Sequence, residues 1–176
     1  PGYDEADVTE SQLREIRTAT KSADIILLVM AANSSARDAD RQMLEEVAAV
    51  YDNERRLKPP AVIAVLTHID LLRPIREWEP PYNWRQPHTL KEESMAAAVQ
   101  YTRELFGDTI SSYACVYTGD TYPIDSGTLD DVVSQMVTQL DHGHGAAILK
   151  AFYRKLSEDR FKTLKNQVFA LLKTVR

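Results

Sequence analysis

The stretch Ala61-Val62-Ile63-Ala64-Val65-Leu66-Thr67-His68-Ile69-Asp70 constrains this chain more than any other. Six consecutive apolar residues, Val and Ile among them, follow Pro59-Pro60 and give way to polar ones. A strand with one wet face alternates polar and apolar residues. A run without alternation is a strand covered on both faces, as in parallel sheets. Such a strand needs neighbours at its edges and helices above and below, which is an α/β domain. In an open parallel sheet, ligands bind beyond the carboxyl ends of the strands. Thr67-x-x-Asp70 falls at that edge, so Asp70 is placed to read something there.

The rest of the chain supplies what the strand needs. Thr9 and Gln12 have capping-box spacing and open a helix through about Lys21, with Leu13, Ile16, Ala19 and Ala23 on one apolar face. Ala23 to Ala32 reads as a second fully buried strand, and Asn33 to Arg37 as the loop past it. A helix follows from Asp38 to about Asp52, with Met43, Leu44, Val47, Ala48 and Tyr51 at helical spacing. Leu71 to His88 holds four of the eight prolines and both tryptophans, Trp78 and Trp84. That proline density forbids a regular element, and the aromatic rings argue for order. The segment reads as an ordered surface loop, either folded onto its own domain or presented to a partner or nucleotide.

Thr89 and Glu92 form another capping box, and the helix they open runs to Phe106, where Gly107 stops it. Ser112 to Thr118 is a third, shorter strand. Thr128 and Asp131 cap a further helix, with Leu129, Val132, Val133, Met136, Val137 and Leu140 facing inward. In the last stretch Phe161, Leu164, Val168, Leu171 and Val175 step by three and four, an amphipathic helical period. Strands alternating with helices imply a parallel sheet with right-handed crossovers.

Charge divides the chain in two. Net charge is −5, which excludes an overall nucleic-acid footprint. Residues 143–176 carry eight Lys/Arg against two acids, so this tail is at +6 and the preceding body at −11. A basic tail on an acidic body docks on that body or meets an anionic partner. The single cysteine, Cys115, excludes an internal disulfide, lies in an apolar strand pattern and fits a cytoplasmic setting. No apolar run approaches the roughly 18 residues of a membrane span. The chain opens on Pro1-Gly2 without methionine, which leads us to expect a piece of a longer protein.

Four features now stand in order: Pro1-Gly2, the Asn33 loop, Thr67-His68-Ile69-Asp70, and Thr118-Gly119 followed by Gly127-Thr128-Leu129. Together they resemble the C-terminal part of the G domain of an Era-like P-loop GTPase, in the translation-factor-related class and the bacterial 50S-ribosome-binding type. In that family Asp-x-Pro-Gly precedes the second switch helix, Asn-Lys-x-Asp reads the base, and Ser-Ala supplies a backbone N–H to guanine O6. The resemblance covers about residues 1–141, leaving 142–176 as a basic amphipathic helical tail. It implies a three-layer α/β sheet of the P-loop GTPase type, partial here at about three strands.

By that resemblance Gly2, Thr67, His68, Asp70, Thr118 and Gly119 are the nucleotide-contacting positions. The chemistry of the types agrees. Guanine offers N1–H and an exocyclic amine as a fork of donors, and one carboxylate at Asp70 accepts both. Thr67 would tie the loops together, His68 would lie over the base where the family has lysine, and Gly119 is small enough to bring its N–H close. The departures are His68, Thr67 for asparagine, and the absence of Gly-x-x-x-x-Gly-Lys-Ser/Thr. His142-Gly143-His144-Gly145 lacks that spacing.

The implied parent binds GTP or GDP with Mg²⁺ in the cytoplasm, peripheral to a membrane at most, and hydrolyses GTP. This chain alone is expected to need no cofactor, to bind GTP without useful affinity and not to hydrolyse it. The basic helix suits a ribosome, a membrane surface or a protein partner. The Ala23–Ala32 strand would leave an exposed edge open to self-association. The alternative is a non-catalytic α/β interaction module that binds a protein through its Trp78–Trp84 loop and basic C-terminal helix.

Overall fold

A computed structural model describes residues 10–53, 59–119, 121, 122, 128–140, 144, 145, 147, 148 and 151. Gly2, the Thr9 cap, Gly127 and the Phe161–Val175 stripe lie outside the described residues. Among the described residues the helices α1 (Glu10–Lys21), α2 (Asp38–Asn53), α3 (Leu90–Phe106) and α4 (Thr128–Gln139) alternate with three strands. These are β1 (Ile25–Ala31), β2 (Ala61–Thr67) and β3 (Ser112–Cys115), all parallel, in the order β1-β2-β3. Of the proposed tail, residues 144, 145, 147, 148 and 151 are helical.

The sheet is the middle of three layers. Register pairs Leu28 with Ala64 and Met30 with Leu66, while Ala64 and Leu66 pair with Tyr113 and Cys115. These residues share one face and pack with Leu44 of α2 and with Met95, Val99 and Phe106 of α3. Ile63, Val65 and Ala114 point the other way, against Val132 and Met136 of α4. β2 is therefore buried on both faces, as its unbroken apolar run requires, with Ile63, Ala64 and Leu66 fully buried. Each large aliphatic side chain so enclosed contributes about 1.5–3 kcal/mol. Cys115 is a buried core thiol, and burial pushes it well above its ordinary range.

Three local expectations need correction. β1 is not fully buried: Leu27 is 40% and Val29 54% exposed on the α4 side of the sheet, where α4 packs over β2 and β3. Asp131 is not a helix cap. Its carboxylate faces outward from α4 to the Cys115 amide, the Trp84 indole and Arg85. Leu129, at 38%, is exposed rather than inward. Helical periodicity assigns a residue to a side of the helix, but the neighbours decide how far cover extends over that side. The Thr89–Glu92 capping box is complete in both directions, and Gly107 ends α3 with φ of 54°.

Candidate functional site

The carboxyl ends of β2 and β3 lie side by side, because the strands are parallel neighbours. β2 ends at Thr67. Its backbone C=O accepts from the Ala32 amide (2.8 Å), and its hydroxyl donates to the Met30 carbonyl (3.2 Å). Thr67 thus ties the end of β2 to the end of β1. The same oxygen lies 2.8 Å from Nδ1 of His68. A hydroxyl has one hydrogen, and with that hydrogen on Met30 the histidine presents Nδ1–H to it.

His68 has φ of 56° and ψ of 34°. This left-handed conformation is uncommon outside glycine, though histidine is among the residues enriched there. The chain is turned sharply at the point where it leaves the sheet, and the His68 ring is exposed. A 3₁₀ turn, Ile69–Leu71, follows and is anchored by the fully buried Ile69. Asp70 sits in this turn, half-buried. Its Oδ1 is buried and has no hydrogen-bond partner among the described residues. An unpaired buried carboxylate oxygen costs the desolvation it has not recovered. Structural carboxylates here behave otherwise: Glu92 accepts from the amides of Asn83 (2.6 Å), His88 (2.8 Å) and Thr89 (3.1 Å). Those hydrogen bonds hold the Glu92 carboxyl below its usual range, the Asn83 and His88 amides contributing most.

At the end of β3 the Val116 amide still donates to the Leu66 carbonyl, and Tyr117 turns the chain outward. The Tyr117 amide donates to the Thr128 hydroxyl (3.0 Å), and its own hydroxyl accepts from the Tyr122 amide (2.9 Å). Thr118 is exposed and Gly119 half-buried. A Cβ on Gly119 would lie 2.8 Å from the Tyr117 ring. That ring is itself fixed, 4.8 Å from Trp78 between centroids, and Trp78 stacks on Tyr122 at 4.6 Å. Position 119 is small because an aromatic ring rests on it, a reason that the sequence pattern does not carry.

Thr67, His68 and Asp70 are thus together on one turn, and Thr118-Gly119 follows the neighbouring strand. Gly2 lies outside the described residues. The Pro-rich loop folds onto its own domain: Trp84 is buried, and its indole donates to Asp131 (2.9 Å) while Arg85 pairs with the same carboxylate (2.8 Å). Sequence reasoning missed this clamp and the aromatic cluster, since each joins residues more than thirty positions apart. Three clefts lie away from the Thr67–Asp70 turn. The largest, about 850 Å³, is at the amino end of the sheet between Asp24, Tyr51, Ala61 and Asp108. The others, about 320 and 550 Å³, flank Arg85 and Arg103. Among the described residues no cluster of three His, Cys, Asp or Glu side chains could hold a metal ion, and no helix is long and apolar enough to cross a membrane.

Set against known proteins, the chain matches no protein-family model, no curated protein and no solved structure.

Proposed function

We propose that this chain is the base-reading part of a cytoplasmic guanine-nucleotide-binding domain of the P-loop GTPase type, with Asp70 as the guanine acceptor. The observation that carries the reading is the buried Asp70 Oδ1, left without a partner at the carboxyl end of the central strand. A carboxylate there matches the donor fork of guanine N1–H and N2–H₂, and charge-assisted bonds of this kind are about twice as strong as neutral ones. The hydroxyl tie from Thr67 to Met30 and the strand order β1-β2-β3 support it. The reading concerns the base alone and assigns no residue to the phosphates or to Mg²⁺. The rival interaction module is disfavoured, because Trp78 and Trp84 are packed into their own domain.

Base contacts alone give weak binding, on the order of millimolar, or about −4 kcal/mol. Titration of the ¹⁵N-labelled chain with GMP, XMP and AMP reads that range. Amide shifts at Asp70 and Gly119 are expected with GMP and not with AMP. Asp70→Asn turns one acceptor into a donor and moves the preference to XMP. Equal response to all three nucleotides, or an unaltered preference in Asp70→Asn, removes Asp70 from a base site.

A further inference from the structure

Lys91 is the second residue of α3 and is 0% exposed. An ammonium taken wholly out of water costs several kcal/mol unless something replaces its hydration. Here the backbone of another segment replaces it. Nζ donates to the carbonyl oxygens of Asp70 (2.8 Å), Leu72 (2.6 Å) and Pro74 (3.2 Å). An ammonium has three hydrogens, and all three are met within the five residues that leave β2. Burial lowers the Lys91 pKa, while the nearby Asp70 and Glu77 carboxylates favour its charged form.

This lysine adds little to α3 that an apolar side chain of the same length would not. Its three bonds all fix the path of residues 70–74. Ile69, fully buried, pins that path from the sheet side, and the Leu72 amide closes the 3₁₀ turn on the Ile69 carbonyl (3.3 Å). Asp70 therefore lies between two anchors. Its carbonyl is held by a buried cation while its Oδ1 carries no partner. Rigid backbone beneath an acceptor without a protein partner is what geometric selectivity needs. A fork of two donors is read only if both carboxylate oxygens meet it at the right angle, and a misplacement of about 1 Å forfeits most of the gain.

We propose that Lys91 is the positioning residue for Asp70, and that it sets the selectivity of the turn for a purine presenting the N1–H/N2–H₂ fork. The inference rests on the reading of Asp70 as a base acceptor, and it adds a residue that touches no ligand. Lys91→Met keeps the stem and removes the three donors. Lys91→Gln keeps two donors on a shorter stem.

The test compares GMP with XMP by ¹⁵N titration of the full 176-residue chain. The ratio of the two affinities is the readout that a purely structural lysine would leave alone. The original chain prefers GMP by about tenfold, the worth of one hydrogen bond to a charged group. Lys91→Met reduces the preference to within about threefold, and Lys91→Gln falls between. Thr102→Val serves as the control for stability. Thr102 is also fully buried in α3, and among the described residues its hydroxyl bonds only the Ala98 carbonyl of its own helix (2.9 Å). It lowers the melting temperature and leaves the ratio unchanged.

If the original chain shows no preference, or Asp70→Asn does not reverse it, the base-site reading fails and this inference with it. If both behave and Lys91→Met keeps the full preference, the positioning role alone is overturned. Should both Lys91 variants fail to fold, the unmodified chain decides. The Lys91 ammonium resonance, shielded by burial, shifts on saturation with GMP and not with AMP. A resonance blind to GMP rejects the proposal.

Discussion

The two outer strands of the sheet expose their backbones to different company. In β3 the Val116 amide pairs with β2, so the alternation of the strand turns the polar groups of 113, 115 and 117 outward. All three positions are met: the Tyr113 carbonyl by Arg85 (3.1 Å), the Cys115 amide by Asp131 (3.0 Å) and the Tyr117 amide by Thr128 (3.0 Å). In β1 the Ala32 amide pairs with β2, so Ile25, Leu27, Val29 and Ala31 turn outward. Among the described residues only Ala31, at the end, has its carbonyl met, by the buried Arg37 (2.6 Å) and the Ser34 amide (3.2 Å). Leu27 and Val29 keep 40% and 54% of their surface exposed, and no backbone group of the described residues outside the sheet bonds to theirs. A free edge beside an apolar face is a template for pairing with another strand. Among the described residues, one edge is closed by side chains of the chain itself and the other is closed only at its end.

The largest effect is expected where the closed edge is held. Asp131→Ala strips partners from the Cys115 amide, the Trp84 indole and Arg85 together, and should cost about 3–5 kcal/mol by urea unfolding. Trp84 fluorescence should shift to the red as its loop lifts from α4. An Asp131→Ala chain with unaltered stability would mean that the β3 edge is closed by something other than this carboxylate.

A middle effect is expected at Glu92, which fastens the same loop to α3. Glu92→Gln should cost about 1–3 kcal/mol through weakened bonds to the Asn83, His88 and Thr89 amides. Its folded pKa lies below the unfolded value near 4.5. The unfolded chain therefore binds the proton first, and the stability due to Glu92 is complete above that value. It drains away as pH falls through 4.5 toward the lower folded pKa. The acid limb of a stability–pH curve should flatten in Glu92→Gln. A limb of unchanged slope would assign the acid sensitivity to other carboxylates.

The smallest change in stability is expected at the open edge, with Leu27→Lys and Val29→Lys together altering it by about 0.5 kcal/mol or less. Their effect should appear instead in association. We expect the unsubstituted chain to dimerise or aggregate as its concentration rises, and the double variant to stay monomeric in sedimentation velocity. Sedimentation that is independent of concentration in both chains would show the β1 edge to be quiet despite its exposure.

The layer plan was legible in the order of the amino acids. The unbroken apolar run Ala61–Leu66 pointed to a strand covered on both faces, hence a parallel sheet between helices, and the helical periods around it supplied them. Capping at Thr89–Glu92 and the stop at Gly107 were equally legible, because capping chemistry is local to three or four residues. Thr67 and Asp70 could be singled out for the same reason: their meaning comes from standing at a strand end.

Contacts between distant segments emerged from the three-dimensional packing alone. Asp131 read as a cap from its spacing, yet it serves an edge strand and a loop more than forty positions away. Lys91 carried no signal at all, since a lysine in the first turn of an amphipathic helix ordinarily faces water. Its burial exists only because residues 70–74 bring three carbonyls to it. β1 read as fully buried because its residues are apolar, but burial needs a covering partner, and Leu27 and Val29 have none among the described residues. Local pattern fixes what a segment is able to cover or be covered by. Which neighbour does so depends on loop-closed, long-range packing, and that information is not written in any one stretch of the chain.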